Sequence, residues 1–352
     1  MNNKEIFFSI IMPVFNAEEY LNKAINSILN QTFKDFECIL IDDNSSDKSY
    51  SICLNYAKKD ERIILIKNDK NMGVSTTRNK GLDIAQGRYV TFIDSDDYID
   101  RDVLYKVYNK IKNMDIVVDC LKYGVIEEYF VKNKLKYKKK CSLSNFFSEN
   151  KNEIQNEILK LEQIPLFGYS CNSFYYLKII RENDIKFRNY SMNEDFIFNM
   201  EYFSFIKNFC FMNFLGYYYA KRGNNSLSSK KQDNYYELHM MKIDRFLNIC
   251  NKSNNLTQEN KELIYWMYVR YIYSAIERNI DHRKNIEFLL SKIEKNYLYR
   301  SFLATKFMKI NMKQRVMIFF LKKKKKYLLI NFISLISWIR RKFPVFFAII
   351  KN

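Results

Sequence analysis

The first 120 residues of the chain alternate between short apolar runs and longer segments with apolar residues at helical spacing. Parallel strands need crossover connections of about a dozen residues, and the intervening segments have that length. The alternation therefore predicts an α/β fold with a mostly parallel sheet flanked by helices. The predicted strands are Phe7 to Val14, Cys38 to Ile41, Ile63 to Lys67, a strand that begins at Tyr89, and Ile116 to Val118. The predicted helices are Glu18 to Asn30, about Ser46 to Lys58, Val74 to Ala85, and Ile99 to Lys112.

Carboxylates follow two of these strands at the point where each strand ends. The carboxyl ends of parallel strands share one edge of a sheet, so residues far apart in sequence can line a single crevice there. Charged carboxylates cannot be buried without compensation, so they indicate either a ligand site or a helix-capping turn. The residues that we expect to meet at this edge are Phe15, Asp42, Asp43, Asp94 and Asp96.

The two acidic clusters suggest different chemistry. Asp42 and Asp43 can accept hydrogen bonds from a nucleobase or a ribose, and Phe15 offers a ring for base stacking. Asp94 and Asp96 form an Asp-x-Asp turn, which suits Mg²⁺ or Mn²⁺ because these ions take few protein carboxylates together with substrate phosphate oxygens. The alternatives are an Asx-type turn for the first cluster and a capping turn for the second. Asp97 is interpreted as the cap of the following helix.

Two later polar pairs are further candidates. Glu194 and Asp195 lie between two helical segments, where a carboxylate could take a proton from an acceptor hydroxyl or could simply cap a helix. Lys221 and Arg222 follow a predicted strand, and cations there could stabilise a leaving diphosphate or form a solvated loop.

The second half of the chain is predominantly helical. Tyr123 to Phe147 is interpreted as a surface-exposed hairpin or loop, with a basic stretch from Lys134 to Lys140. The residue pattern from Phe209 to Ala220 predicts a strand. The predicted helices of this half are Ser173 to Glu182, Phe196 to Phe205, Tyr235 to Cys250, Thr257 to Asn279 and Ile286 to Tyr297.

Charge and cysteine usage limit the functional classes. Residues 1–100 hold 12 Lys and Arg against 16 Asp and Glu, whereas residues 301–352 hold 13 Lys and Arg and no acidic residue. The seven scattered cysteines indicate free thiols in a reducing cytoplasm, and the two histidines argue against a His-rich metal site. The run from Ile6 to Val14 is interpreted as a buried strand and not as a signal peptide.

The tail, about residues 306–352, combines lysine runs with apolar segments. Five lysines, Lys322 to Lys326, precede an apolar run that ends near Trp338, and a second apolar run covers Phe343 to Ile350. Neither run reaches the roughly 20 residues that a membrane span needs. The pattern fits a helix at an anionic membrane surface, and a packed helix with a basic edge is the alternative. A nucleic-acid role is disfavoured because it would leave the aliphatic faces exposed.

Six short segments together resemble the family 2 glycosyltransferases in residues, order and spacing. They are Ser9 to Asn16, Ser27 to Phe33, Ile41 to Asp47, Asn71 to Ser75, Arg78 to Leu82, and Phe92 to Asp97. Asn193 to Phe196 and Arg222 to Ser226 are similar to later motifs of the family. Asn44 departs from the glycine of many members, although Asn also accepts left-handed backbone angles. Residues 227–352 match no family motif, and the absence of Gln-x-x-Arg-Trp favours addition of single sugars.

The resemblance implies a GT-A fold, a nucleotide-diphosphate sugar donor (a UDP-sugar is favoured), Mn²⁺ or Mg²⁺, and inversion at the anomeric carbon. It assigns Asp96 as the main metal ligand, Asp94 to the ribose or metal, and Asp195 as the catalytic base. Glu194 and Arg222 are assigned to the diphosphate or acceptor. The residues assigned to the nucleotide sugar are Pro13, Phe15, Asp42, Asp43, Arg78 and Asp94.

These observations predict a GT-A domain in residues 1–226, with a nucleotide-sugar-binding half (1–112) and an acceptor half (113–226), followed by a helical, basic extension in 227–352. The expected protein is cytoplasmic, peripheral at the inner face of the membrane, and acts on a glycan or glycolipid of a bacterial surface polysaccharide or lipooligosaccharide. The alternatives are a nucleotidyltransferase and a catalytically inactive GT-A binding module.

Overall fold

A computed structural model describes residues 6–131, 134–190, 192–222, 234–280, 283–305 and 311–342. The chain divides into two compact units, Met1–Lys230 and Lys231–Asn352. The boundary predicted between residues 226 and 227 lies outside the described residues, as does the motif segment from Gly223 to Ser226.

The first unit is built on one mixed sheet. The strands are β1 (Phe8–Val14), β2 (Phe36–Asp42), β3 (Ile63–Lys67), β4 (Tyr89–Phe92), β5 (Tyr98–Ile99), β6 (Cys120–Val131), β7 (Lys134–Cys141), β8 (Phe146–Ser148), β9 (Ser173–Tyr176) and β10 (Phe209–Lys221). Their order in the sheet is β3-β2-β1-β4-β9-β6-β10-β5, and in addition β7 pairs with β6 and β8 pairs with β10. The helices are α1 (Glu18–Leu29), α2 (Ser49–Ala57), α3 (Val74–Ile84), α4 (Val103–Lys112), α5 (Lys151–Gln163), α6 (Leu177–Glu182) and α7 (Glu194–Tyr202).

The amino-terminal strands form the parallel part of the sheet, as the alternation predicts. Strand β1 is buried along its whole length and pairs in parallel with both β2 and β4. Val14 is paired with Asp42, and Ile11 is paired with Phe92. The segments that follow β1, β2 and β4 therefore leave the sheet at the same edge, which is where the acidic clusters lie.

Two glycines let α3 and β4 approach β1 closely. A Cβ atom at Gly81 would lie 2.5 Å from Cγ2 of Ile11, and one at Gly87 would lie 2.5 Å from the backbone nitrogen of Ser9. Such distances are far inside van der Waals contact: a methyl group at Gly87 would collide with backbone, and one at Gly81 would force the Ile11 side chain to shift. This close packing sets the position of α3, the helix that carries Arg78.

Three local predictions are wrong. Ile116 to Val118 forms no strand; the strand begins at Cys120 and is central, between β9 and β10. Ser173–Tyr176 is strand β9 and not the start of a helix, because its backbone pairs with β4 and β6. Helix α4 begins at Val103, four residues later than predicted, because Tyr98 and Ile99 pair with β10. Tyr123 to Phe147 does form a hairpin, although β6 is mostly buried.

The second unit is helical in its described residues. Its helices are α8 (Tyr235–Lys252), α9 (Gln258–Arg278), α10 (Arg283–Lys295), α11 (Tyr299–Ala304), α12 (Met312–Lys322) and α13 (Lys326–Lys342). Among the described residues, no helix combines the length and apolar character that crossing a membrane requires. The predicted apolar run from Phe343 to Ile350 lies outside them. All seven cysteines are free thiols, as predicted, and the structure buries all of them.

Candidate active site

The first acidic cluster lies beside the end of β1. The Asp43 amide donates to the Val14 carbonyl at 2.8 Å, so β1 and β2 bring Asp42 and Asp43 next to Phe15. Asp42 is fully buried and its Oδ2 accepts from the Ser45 amide at 3.1 Å, the Asx-type turn of the alternative interpretation. Its Oδ1 is buried without a hydrogen-bond partner among the described residues. Phe15 is 47% exposed, whereas Pro13 is buried within β1. This edge of the sheet thus combines the exposed ring of Phe15 with the buried carboxylate oxygen of Asp42.

Asp43 organises the loop between β3 and α3. Its carboxylate accepts from Nδ2 of Asn68 at 2.7 Å, from the Met72 amide at 2.8 Å and from the Gly73 amide at 2.9 Å. Gly73 has φ of +82°, a left-handed conformation that favours glycine. Asp43 therefore fixes the entry into α3, and its contact with a nucleobase stays a prediction.

Arg78 connects the end of β4 to the start of α7. Its side chain is only 4% exposed, and its guanidinium donates to Asp94 at 2.8 Å and to Asp195 at 2.6 Å, with Glu194 at 3.6 Å. Burial would lower the pKa of Arg78, but these carboxylates outweigh it and raise that pKa. The planar fork of arginine suits two carboxylates at once. The structure thus brings together residues that are 16 and 117 positions apart in sequence.

The three carboxylates after β4 have different environments. Asp97 is 1% exposed and accepts from the Tyr217 hydroxyl at 2.8 Å and from the Ala220 amide at 2.7 Å. Burial raises its pKa, with further increases from Asp96 and Asp94. The prediction that Asp97 caps a helix is wrong, because it instead fixes β10 against the turn after β4.

Asp96 is the outermost carboxylate of this turn. Its side chain is 50% exposed, and its Oδ2 lies 3.2 Å from Nη1 of Arg222. The guanidinium of Arg222 stacks on the ring of Tyr20, 3.7 Å from its centroid. Desolvation and the charge of Asp94 raise the pKa of Asp96 to about 6, although Arg222 opposes the rise. Asp96 and Asp94 thus share an excess of negative charge that a cation can relieve.

Glu194 and Asp195 occupy the first turn of α7 and face Arg78. The helix is preceded by Asn193 in a left-handed conformation, with φ of 68° and no side-chain capping bond. Burial and the charge of Asp195 raise the pKa of Glu194 to about 7. Burial also raises the pKa of Asp195, and Arg78 acts in the opposite direction. A carboxylate with a raised pKa in a crevice is a candidate general base.

Residues that the motifs do not identify hold this part of the site in place. Asn199, one turn after Asp195, donates to the carbonyls of Phe167 and Tyr169 at 2.7 and 3.1 Å. Lys122, fully buried on β6, donates to the Tyr169 carbonyl at 2.7 Å and to the Ser173 hydroxyl at 2.6 Å. Burial lowers the pKa of Lys122 to about 8. A lysine inside an apolar strand was the available sequence signal.

The donor set after β4 fits a hard divalent cation. Asp94 and Asp96 offer carboxylate oxygens on one turn, and Asp96 is half exposed and therefore accessible to a ligand. Mg²⁺ and Mn²⁺ bind through one or two carboxylates plus substrate phosphates. Among the described residues, no cluster of three or more His, Cys, Asp or Glu side chains could hold a metal without substrate.

Comparison with known proteins identifies relatives of the first unit. Residues 9–182 match the model of glycosyl transferase family 2. The chain is 40% identical over 164 residues to an uncharacterized glycosyltransferase of Haemophilus influenzae, covering 46% of this chain and 65% of the relative. It is 34% identical over 219 residues to the cholesterol galactosyltransferase of Borreliella burgdorferi, covering 58% and 59%. It is also 34% identical over 217 residues to the poly(ribitol-phosphate) beta-N-acetylglucosaminyltransferase TarP of Staphylococcus aureus, covering 60% and 61%. The chain thus spans less than two thirds of each of these relatives.

Solved structures share the fold. The structure of S. aureus TarS 1-349 in complex with UDP-GlcNAc superposes with a TM-score of 0.56 at 20% identity, covering 96% of this chain and 92% of TarS 1-349. A longer TarS structure gives a TM-score of 0.58 at 18% identity, covering 93% and 55%. Likeness at this identity establishes the fold, and the family match establishes the lineage. Residues 9–182 form a glycosyltransferase family 2 domain, and the structure adopts the GT-A fold.

Proposed function

We propose that the protein is an inverting, metal-dependent glycosyltransferase that moves a sugar from a nucleotide-diphosphate sugar to a hydroxyl of a glycan or glycolipid. The observation that carries this proposal is the convergence of Asp94 and Asp195 on the buried guanidinium of Arg78. It puts the end of a central strand and a candidate base beside one buried cation. The neighbouring edge, with Phe15 and Asp42, has the features of a nucleotide site.

The donor site follows from these positions. The exposed ring of Phe15 would stack on the base, and the unpaired oxygen of Asp42 is available to a base or ribose donor group. Asp43 holds the loop that completes this side of the pocket. The UDP-GlcNAc complex of TarS supports a UDP-sugar donor.

Asp94 and Asp96 would hold Mn²⁺ or Mg²⁺, which would neutralise the diphosphate charge. Arg222 lies beside this pair and can contact the leaving diphosphate when Asp96 is engaged elsewhere. Cations placed where charge develops stabilise the transition state.

Asp195 is the proposed base. Its carboxylate would accept the proton of the acceptor hydroxyl as that oxygen attacks the anomeric carbon from the face opposite the departing diphosphate. Arg78 orients Asp195 and opposes the rise in its pKa that burial causes, because a nearby cation favours the charged form. Glu194 adjoins the same guanidinium and is proposed to contact the acceptor or diphosphate.

The proposed pathway is bacterial surface glycan synthesis at the inner face of the cell membrane. Relatives named for teichoic acid synthesis and for cholesterol galactosylation support a cell-surface glycan or lipid acceptor. In α13, Leu328, Leu335 and Trp338 lie on one helical face and are 47%, 56% and 53% exposed, whereas Leu329 and Ile333 are buried. An exposed apolar stripe beside a lysine run fits the headgroup region of an anionic membrane.

The test is transfer measured with a panel of nucleotide sugars, with and without Mn²⁺. Asp195→Asn should fold normally and lose transfer by at least about a hundredfold, the usual contribution of acid–base catalysis. Asp96→Ala should fold normally and lose the transfer that depends on Mn²⁺. Asp184→Asn is the matched control, because Asp184 is 80% exposed and pairs only with Lys186 among the described residues. Full activity in either site variant would remove its assigned role.

The same assay separates the alternatives. A nucleotidyltransferase would release pyrophosphate, whereas a glycosyltransferase releases a nucleoside diphosphate. An inactive GT-A module would show a nucleotide-induced rise in melting temperature without turnover.

A further inference from the structure

Strand β7 is unusually basic for a strand. Five of its eight residues are lysines, namely Lys134, Lys136, Lys138, Lys139 and Lys140. Lysine is depleted in strands, and neighbouring like charges repel. A charged edge strand resists unwanted pairing with other sheets. That role would be met by lysine anywhere along the edge, so it does not explain the position of this strand beside the site.

The acidic residues of β6 leave most of this charge uncompensated. Glu128 pairs with Lys138 at 2.8 Å, and Glu127 pairs with Lys221 at 2.7 Å and with Lys139 at 4.0 Å. Both glutamates are 2% exposed, so their negative charge contributes little to the exposed surface of the protein. Among the described residues, the other three lysines of β7 make no ion pair, and all three are exposed: Lys134, Lys136 and Lys140.

The basic strand is linked to the site through α1 and β5. Glu128, the partner of Lys138, also accepts from the Tyr98 hydroxyl at 2.9 Å. The ammonium of Lys23, on α1, lies over the ring of Tyr98 at 3.2 Å. Burial lowers the pKa of Lys23, and the nearby charges of Arg222 and Lys138 lower it further against the effect of Glu128. Lys23 of α1, Lys138 of β7 and Arg222, which directly follows β10, are therefore close enough to influence one another's charge.

Arg222 links these cations to Asp96 of the candidate site. It stacks on Tyr20, one turn before Lys23 on α1, and lies 3.2 Å from Asp96. The positive surface thus runs from the predicted diphosphate position outward along β7. From Lys134 to Lys140 a strand covers about 20 Å, at roughly 3.3 Å per residue. A donor diphosphate is too short to occupy that length, whereas an acceptor with repeated phosphates matches it.

We propose that the exposed lysines of β7 dock a phosphate-bearing acceptor, a glycan or polyol chain with several phosphodiesters, and present its hydroxyl to Asp195. This rests on the proposed function and adds the chemical class of the acceptor. Each phosphate neutralised by a lysine releases condensed counterions, so the affinity should depend on salt.

The experiment compares two full-length variants that each remove three positive charges. The first is K134Q/K136Q/K140Q, which leaves the pair between Lys138 and Glu128 intact. The matched control is K323Q/K324Q/K325Q, which changes exposed lysines between α12 and α13. The probe is a fluorescein-labelled oligo(glycerol phosphate), and its Kd is measured by anisotropy at several salt concentrations. UDP-sugar binding and flotation with phosphatidylglycerol vesicles are measured on the same proteins.

The β7 variant should bind the probe about tenfold more weakly, and its slope of log Kd against log salt should be smaller by about two, at ~0.7 per lost contact. The control should bind the probe like the wild type. Equal weakening in both variants, or wild-type binding by the β7 variant, would overturn the proposal. Loss of vesicle flotation instead of probe binding in the β7 variant would assign the strand to the membrane and also overturn it. Failure of the wild type to bind any nucleotide sugar would refute the proposed function separately.

Discussion

Replacing Arg78 by methionine tests the centre of the site. The substitution keeps an unbranched side chain of moderate volume and removes the cation that pairs with Asp94, Glu194 and Asp195. Three carboxylates would then face each other without their counter-ion. We expect both stability and the pH dependence of transfer to change.

The magnitude follows from burial. Breaking a buried ion pair costs about 3–5 kcal/mol. Arg78 is 4% exposed, but the carboxylates are 20–30% exposed and keep some solvation, so the lower end, about 3 kcal/mol, applies. At roughly 2–4 °C per kcal/mol for a domain of this size, the melting temperature should fall by roughly 6–12 °C. Without Arg78, the pKa values of these carboxylates should be higher in the folded state than in the unfolded state, so the folded variant binds extra protons. The loss of stability relative to the wild type should therefore shrink as pH falls and grow toward neutral pH.

Differential scanning fluorimetry from pH 5 to 8 and a pH–rate profile measure the two effects. Arg78 lowers the pKa of Asp195, so its loss should move the acid limb of the profile to higher pH. Arg78→Lys keeps the positive charge but not the planar guanidinium, so its melting temperature and pH profile should lie between those of the wild type and of Arg78→Met. Arg188→Met is the control, because the pair of Arg188 with Glu201 is largely exposed and such pairs contribute about 0–1 kcal/mol. An Arg78→Met protein with unchanged melting temperature and pH profile would refute the reasoning.

Three further substitutions test the frame around the site. Asp97→Ala should lower the free energy of unfolding by about 2–4 kcal/mol in urea titrations, because the Tyr217 hydroxyl and a backbone amide lose their acceptor; Asp97→Asn, which keeps one acceptor oxygen, should lose less. Asp43→Ala should reduce the rise in melting temperature that UDP produces, because the loop before α3 loses its anchor; an unchanged rise would contradict this. Gly87→Ala should destabilise the fold by about 1–3 kcal/mol, because the added methyl collides with the backbone of Ser9, and wild-type stability would show that the packing there is looser.

The fold was predictable where the local pattern is strong. The bounds of β3, Ile63–Lys67, agree with the prediction, and β1 differs from it by one residue. Strand β9 was not predictable, because its four residues are held by backbone pairing with β4 and β6, which are remote in sequence. A segment that short has too few residues for periodicity to distinguish a strand from a helix.

The candidate site divides in the same way. Motifs identify the carboxylates of residues 94–97 but not their different environments. Asp97 was predicted to cap a helix, and the structure instead buries it against β10, 120 residues away at Tyr217. Asp96 stays half exposed beside Arg222.

The sequence alone determined which functional side chains the protein has and which strands place them at the carboxyl edge of the sheet, because strand and helix periodicity are local properties of the chain. The tertiary structure decided the partners: Arg78 with Asp94 and Asp195, Asp97 with β10, and Arg222 with Asp96. The physical reason is that desolvation and charge pairing depend on neighbours in space. A carboxylate becomes a structural acceptor, a metal ligand or a base only when folding sets which cation faces it and how much water it keeps.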